Sequence, residues 1–176
     1  MSAILELTNI SKRFPGVVAL DQVSVTIERG TCHALMGENG AGKSTLGKIV
    51  AGISRADEGK VLLEGKEVSF TDPGQALDAG IGMVHQELLF CENLTVAENL
   101  ALGHMPHTGP FVNFREMRAG AMAALERFGS DISPDRALGD LPISRQQTVQ
   151  IASALARGAK ILIFDEPTSS LSHAES

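Results

Sequence analysis

Polar and apolar positions alternate over residues 22–28 (QVSVTIE), and a mixed run at 3–10 (AILELTNI) precedes them; both predict short strands. A compact apolar run, Cys32–Met36, reads as another strand that enters a glycine-rich segment. A helix follows from Lys43 and ends near Gly52. Residues 61–69 (VLLEGKEVS) predict a hairpin around Gly65, residues 72–80 a short helix, and residues 81–86 (IGMVHQ) a strand. The period then becomes helical. Residues 95–102 suit a helix, and the Gly and Pro residues of 103–110 (GHMPHTGP) break all regular structure. Asn113 and Glu116 form a capping-box pattern ahead of one apolar face, Met117, Ala121, Ala124, Leu125 and Phe128, which Gly129 ends. Ser144 and Gln147 repeat the pattern before Val149, Ala152, Leu155 and Ala156. Residues 160–167 (KILIFDEP) predict a strand apolar enough to be buried on both faces, ending in two carboxylates. Strands therefore flank a helical insert, with no internal repeat.

Composition narrows the function classes. With 43% hydrophobic residues, 176 residues suffice for one domain with a core. No apolar stretch is long enough to span a membrane, and the first residues, MSAILELTNISKRF, lack the features of a secretory signal, so a cytoplasmic location is expected. Cys32 and Cys91 read as packing residues in a reducing compartment. The net charge of −6 without a basic stripe argues against binding to nucleic-acid backbones. With neither Trp nor Tyr, stacking platforms for single strands are not expected either. Any phosphate must be held by a local site.

That site is legible at Gly37-Glu38-Asn39-Gly40-Ala41-Gly42-Lys43-Ser44, which matches G-x-x-x-x-G-K-[ST] at every fixed position. The chemistry needs these residue types. Glycines let successive backbone N–H groups curl around phosphate oxygens, and the helix that follows presents its positive end to the same anion. Lys43 can reach the β- and γ-phosphates, and the Ser44 hydroxyl can ligate Mg²⁺. Thr45 continues the first turn, so the expected nucleotide-binding set is Gly37, Asn39, Gly40, Ala41, Gly42, Lys43, Ser44 and Thr45. A phosphate loop needs a carboxylate at the end of a buried strand to hold the magnesium shell. Asp165 supplies it, and Glu166 can polarise the attacking water as general base. Alone, an Asp-Glu pair reads equally as a solvated strand end.

Together these residues resemble the ATP-binding cassette (ABC) ATPases, in the family's order from Leu5 to the last residue. The resemblance implies an α/β P-loop NTPase core with an inserted helical subdomain. The core is a mixed sheet with flanking helices and an N-terminal antiparallel β part. It implies a nucleotide-binding core at 1–94, the helical subdomain with a signature-like segment at 95–157, and the returning strand and D-loop at 158–176. Phe14 corresponds to the aromatic that stacks on adenine, although by itself it reads as a core residue. Gln86 corresponds to the Q-loop glutamine that touches Mg²⁺ and signals to the membrane subunit. The catalytic set is then Glu166, Lys43 and Gln86, and the metal set Ser44, Gln86 and Asp165, with ATP and Mg²⁺ as ligands. The segments HQELLFCENLTVAENLALG and FDEPTSSLS are similar to the bacterial carbohydrate importers, in particular to the first of two cassettes. The implied partners are a second ABC cassette in the same or a fused chain, membrane permease subunits and, indirectly, a periplasmic solute-binding protein. No nucleic acid is implied. The implied location is the inner face of the cell membrane. Two alternatives stay open: a degenerate or regulatory nucleotide-binding module without turnover, and a non-transport ABC ATPase.

Three features depart from the family pattern. The signature LSGGQ corresponds to Leu141-Pro142-Ile143-Ser144-Arg145, where Pro142 offers neither hydroxyl nor N–H and Ile143 replaces a glycine. Ser144 reads equally as a helix N-cap. Because family sites are shared between cassettes, this defect bears on the site built on the partner's loop, not the one built on Lys43. The D-loop reads Ser169-Ser170-Leu171-Ser172, with Ser where Asp is usual. The switch histidine is expected beyond Ser176, since His33, His85, His104 and His107 precede the Asp165 strand and His173 follows it too closely. This length alone is therefore expected to hydrolyse ATP poorly. His104 and His107 are too few ligands for a metal site.

Overall fold

Pro15-Gly16 turns the chain so tightly that Phe14 pairs with Val17, and the two predicted strands extend into a hairpin of 12-residue strands, β1 (Ala3–Phe14) and β2 (Val17–Glu28). The computed structural model describes residues 2–84 and 90–165 and divides into two units, Met1–Ile81 and Gly82–Ser176. In the first unit the helix α1 (Lys43–Val50) precedes β3 (Glu58–Leu63) and β4 (Lys66–Val68). The four strands form one sheet in the order β2-β1-β3-β4, each neighbouring pair antiparallel. Leu63 pairs with Lys66 across Glu64-Gly65, whose φ of 51° and 77° are those of the tight mirror-image turn that matches strand twist. The predicted helix at 72–80 is α2 (Pro73–Asp78): Asp72 Oδ1 accepts from the Gln75 N–H at 3.1 Å, and Pro73 takes the first helical position. Leu5, Leu7 and Ile10 from β1 are buried, as are Leu20 from β2 and Leu46 and Ile49 from α1.

Two expectations are corrected in this unit. Cys32–Met36 forms no strand, and Met36 is 93% exposed. Apolar composition favours a strand only where a neighbour completes the ladder, and among the described residues nothing pairs with this segment. Cys32 is exposed rather than packed, as is Cys91 in the second unit.

The second unit holds β5 (Ile81–Val84), which starts at the boundary and pairs with the last strand, β8 (Ile161–Phe164). Between them run α3 (Val96–Ala101), β6 (His107–Thr108), β7 (Phe111–Val112), α4 (Phe114–Glu126) and α5 (Ile143–Ala156). Val96 and Leu100 from α3, Met117 and Leu125 from α4, and Val149 and Ala152 from α5 share one buried cluster. Asn99 is buried among them with its amide satisfied: Oδ1 accepts from Cys91 N at 3.0 Å, and Nδ2 donates to the carbonyls of Cys91, Leu94 and Thr95. Residues 103–110 do not break all structure, because His107 pairs with Val112 and Thr108 with Phe111 in a small hairpin. Phe128 lies beyond α4 and is exposed, since the helix ends at Glu126. Leu155 is half-buried and Ala156 exposed in the last turn of α5. Phe164 is 46% exposed, so β8 is not covered on both faces.

The start of α3 carries the full reciprocal cap. Thr95 Oγ1 accepts from the Glu98 N–H at 3.2 Å, and Glu98 Oε2 accepts from the Thr95 N–H at 2.8 Å. The bond from the Thr95 backbone, then that from its hydroxyl, holds the Glu98 carboxyl below the usual carboxylate range. Thr95→Ala should therefore cost about 1 kcal/mol near neutral pH, read from the denaturant midpoint. A depressed folded-state pKa contributes stability above the unfolded value and loses it as pH falls through the folded one. The gap between the two proteins should accordingly narrow on acidification.

Candidate functional site

The loop before α1 is held open by its own backbone. Gly40 and Gly42 sit at φ of 85° and 86°, in the left-handed region, and the Ala41 N–H donates to Glu38 O at 3.1 Å to close a turn between them. A Cβ on Gly42 would lie 2.3 Å from the carbonyl oxygen of Ala19, a contact no rotamer could relieve. Lys43 opens the helix, and its side chain folds back into the loop, where Nζ donates to Gly37 O and Glu38 O, both at 2.8 Å. An ammonium has three donors, so one remains for a ligand while two fix its position. The first helical rung runs from Leu46 N to Gly42 O at 2.9 Å, leaving the N–H groups of the first turn at the helix end. Residues 37–41, Asn39 and Ala41 among them, are exposed, and Lys43, Ser44 and Thr45 are half-buried. An ammonium and the N-terminal end of a helix at one exposed loop are the groups that favour an anion.

Phe14 is 46% exposed at the end of β1, not in the core. It pairs with Val17, and two residues further along β2 is Ala19, whose carbonyl leaves no room for a side chain on Gly42. Val17 and Val18, adjacent on the same strand, are exposed, and nothing in their apolar character announces it.

Asp165 is half-buried just past β8, and its N–H donates to Val84 O at 3.3 Å, which ties it to the end of β5. Gln86 and Glu166 lie outside the described residues, as do the D-loop serines and His173. At the signature-like segment Leu141 is buried and Ile143 is 51% exposed. Ser144 is not the helix cap. Pro142 holds that position at φ −56° and ψ 149°, and its carbonyl accepts from Arg145 N and Gln146 N at 2.9 and 3.0 Å. Proline suits a helix start, since its fixed φ costs nothing there and an N–H would lack an intrahelical partner anyway. Arg145 is drawn sideways to Asp131, at 3.0 Å.

The family model described as ABC transporter matches residues 20–169. A putative ribose/galactose/methyl galactoside import ATP-binding protein of Burkholderia ambifaria is 49% identical over 172 residues, 98% of this chain and 33% of that protein. An arabinose import ATP-binding protein of Burkholderia cenocepacia is 49% identical over 175 residues, 99% of this chain and 35% of that protein. The chain thus spans about a third of the length of these relatives. A solved ATP-binding cassette of an ABC transporter in its ADP conformation superposes with a TM-score of 0.82 at 30% identity, covering 96% of this chain and 70% of the other.

Proposed function

This chain belongs to the ABC transporter family, and we propose that it is a cassette that binds Mg·ATP at Gly37–Ser44 and hydrolyses it to drive import of a pentose or hexose of the ribose, galactose or arabinose kind. The observation that carries the reading is the Lys43 ammonium, fixed by two loop carbonyls at the mouth of α1. In this role Lys43 and the first-turn N–H groups bind the phosphates, and the exposed Phe14 ring stacks on adenine. A water attacks the γ-phosphorus, the bond to the β,γ-bridging oxygen breaks, and Glu166 takes the proton; the products are ADP and inorganic phosphate. Ser44, Gln86 and Asp165 would each offer a hard oxygen of the kind Mg²⁺ takes alongside phosphates and water. When bound, such an ion would supply neutralisation of phosphate charge.

The same reading assigns residues 1–94 and 158–176 to the nucleotide-binding core and 95–157 to a helical subdomain. A second cassette completes each site, permease subunits take up the closing motion at the inner face of the membrane, and a periplasmic binding protein delivers the solute. Uptake of radiolabelled ribose, galactose and arabinose by cells lacking the gene tests it. Restoring the wild-type gene should recover uptake of at least one sugar, and the Lys43→Ala form should not. Uptake of all three sugars that is unaffected by the deletion would overturn the assignment of cargo.

A further inference from the structure

Phe14 sits at the tip of a hairpin, where a phenyl ring would ordinarily swing between rotamers, yet three interactions brace the residues just before it. Asp57, one residue ahead of β3, donates its N–H to Ser11 O at 2.9 Å. Its carboxylate accepts from Lys12 Nζ through Oδ1 and from the Arg13 N–H through Oδ2, both at 2.7 Å. Lys12 is unusually enclosed for a lysine, its side chain only 15% exposed, and its ammonium lies 5.5 Å from the centroid of the Phe14 ring. That is within the range of a cation–π contact. One face of the ring is thus taken by a cation that is itself anchored by a carboxylate from 45 residues away.

We propose that Asp57 is a positioning residue for the nucleotide base: through Lys12 and the Arg13 backbone it fixes the Phe14 ring with one face covered and the other open to adenine. The inference rests on the reading of Phe14 as the base-stacking residue. Its physical basis is preorganisation, since a ring already immobilised loses less rotamer freedom when a base settles on it. The clamp stays ionised near neutral pH, because the hydrogen bond from Lys12, and then that from the Arg13 backbone, hold the Asp57 carboxyl below its ordinary range.

Calorimetric titration of the full-length protein with Mg·ATP, and with Mg·tripolyphosphate as a baseless probe, separates the outcomes. Phe14→Ala should weaken ATP binding by about five- to a hundredfold, as for loss of one base–aromatic stack, and leave tripolyphosphate unchanged. Lys12→Met and Asp57→Asn should each weaken ATP by about two- to fivefold with the same indifference to tripolyphosphate, and Lys12→Arg should restore most of the loss. If Phe14→Ala acts on ATP but the other two do not, or if they weaken both ligands equally, Asp57 has no positioning role and the stacking role of Phe14 stands. If Phe14→Ala itself leaves ATP affinity unchanged, the stacking reading fails, and the positioning role with it. Lys12→Met keeps the bond from Asp57 to the Arg13 backbone, so it decides the question even if Asp57→Asn unfolds.

Discussion

Replacing Lys43 with alanine should lower the affinity for Mg·ATP about ten- to a hundredfold, because a charge-assisted contact is worth about 1.5–3 kcal/mol. Lys43 is the only side-chain cation between Gly37 and Ser44. Two of its donors hold it against Gly37 O and Glu38 O, so its place in the loop precedes the ligand and little ordering cost offsets the contact. The loss should be one of binding and not of folding, since the two carbonyls lie in an exposed loop where water can replace the ammonium. Calorimetric titration of both full-length proteins, with thermal unfolding alongside, checks both halves. Equal affinities would mean that the loop is not the site.

The second large effect is on chemistry. Glu166→Gln keeps the shape of the side chain and removes its basicity, so single-turnover hydrolysis by the full-length protein should fall about 10²–10⁴-fold while ATP binding persists. The reason for choosing Glu166 over Asp165 lies in the backbone. Asp165 is still tied to the end of β5 through its N–H, and a half-buried carboxylate so tethered suits a ligand role. Hydrolysis that survives Glu166→Gln and fails in Asp165→Asn would exchange the two roles.

The conformation of the Gly37–Ser44 loop was legible in the sequence because its requirements are local. Left-handed dihedrals at Gly40 and Gly42, a lysine at the first helical position and a hydroxyl beside it are fixed by adjacent residues. The same holds for the turn at Glu64-Gly65, the short helix at 72–80 and the apolar face of α4 from Met117 to Leu125, where propensity and a 3.6-residue period act over one or two turns. Only the tertiary structure decided the rest. Cys32–Met36 has the composition of a strand, but a ladder needs a partner that composition does not supply. Phe14 and Phe164 look like core residues, and whether another element covers a ring depends on what packs there. Ser144 and Pro142 are both acceptable helix starts, and the choice fell to the residue whose fixed φ fits that position. The clamp on Phe14 was beyond any local reading, because Lys12 and Asp57 meet only when β1 and β3 pair. Dihedral preference and periodicity are properties of a few consecutive residues, whereas burial and ion pairing are set by which distant segment the fold brings alongside.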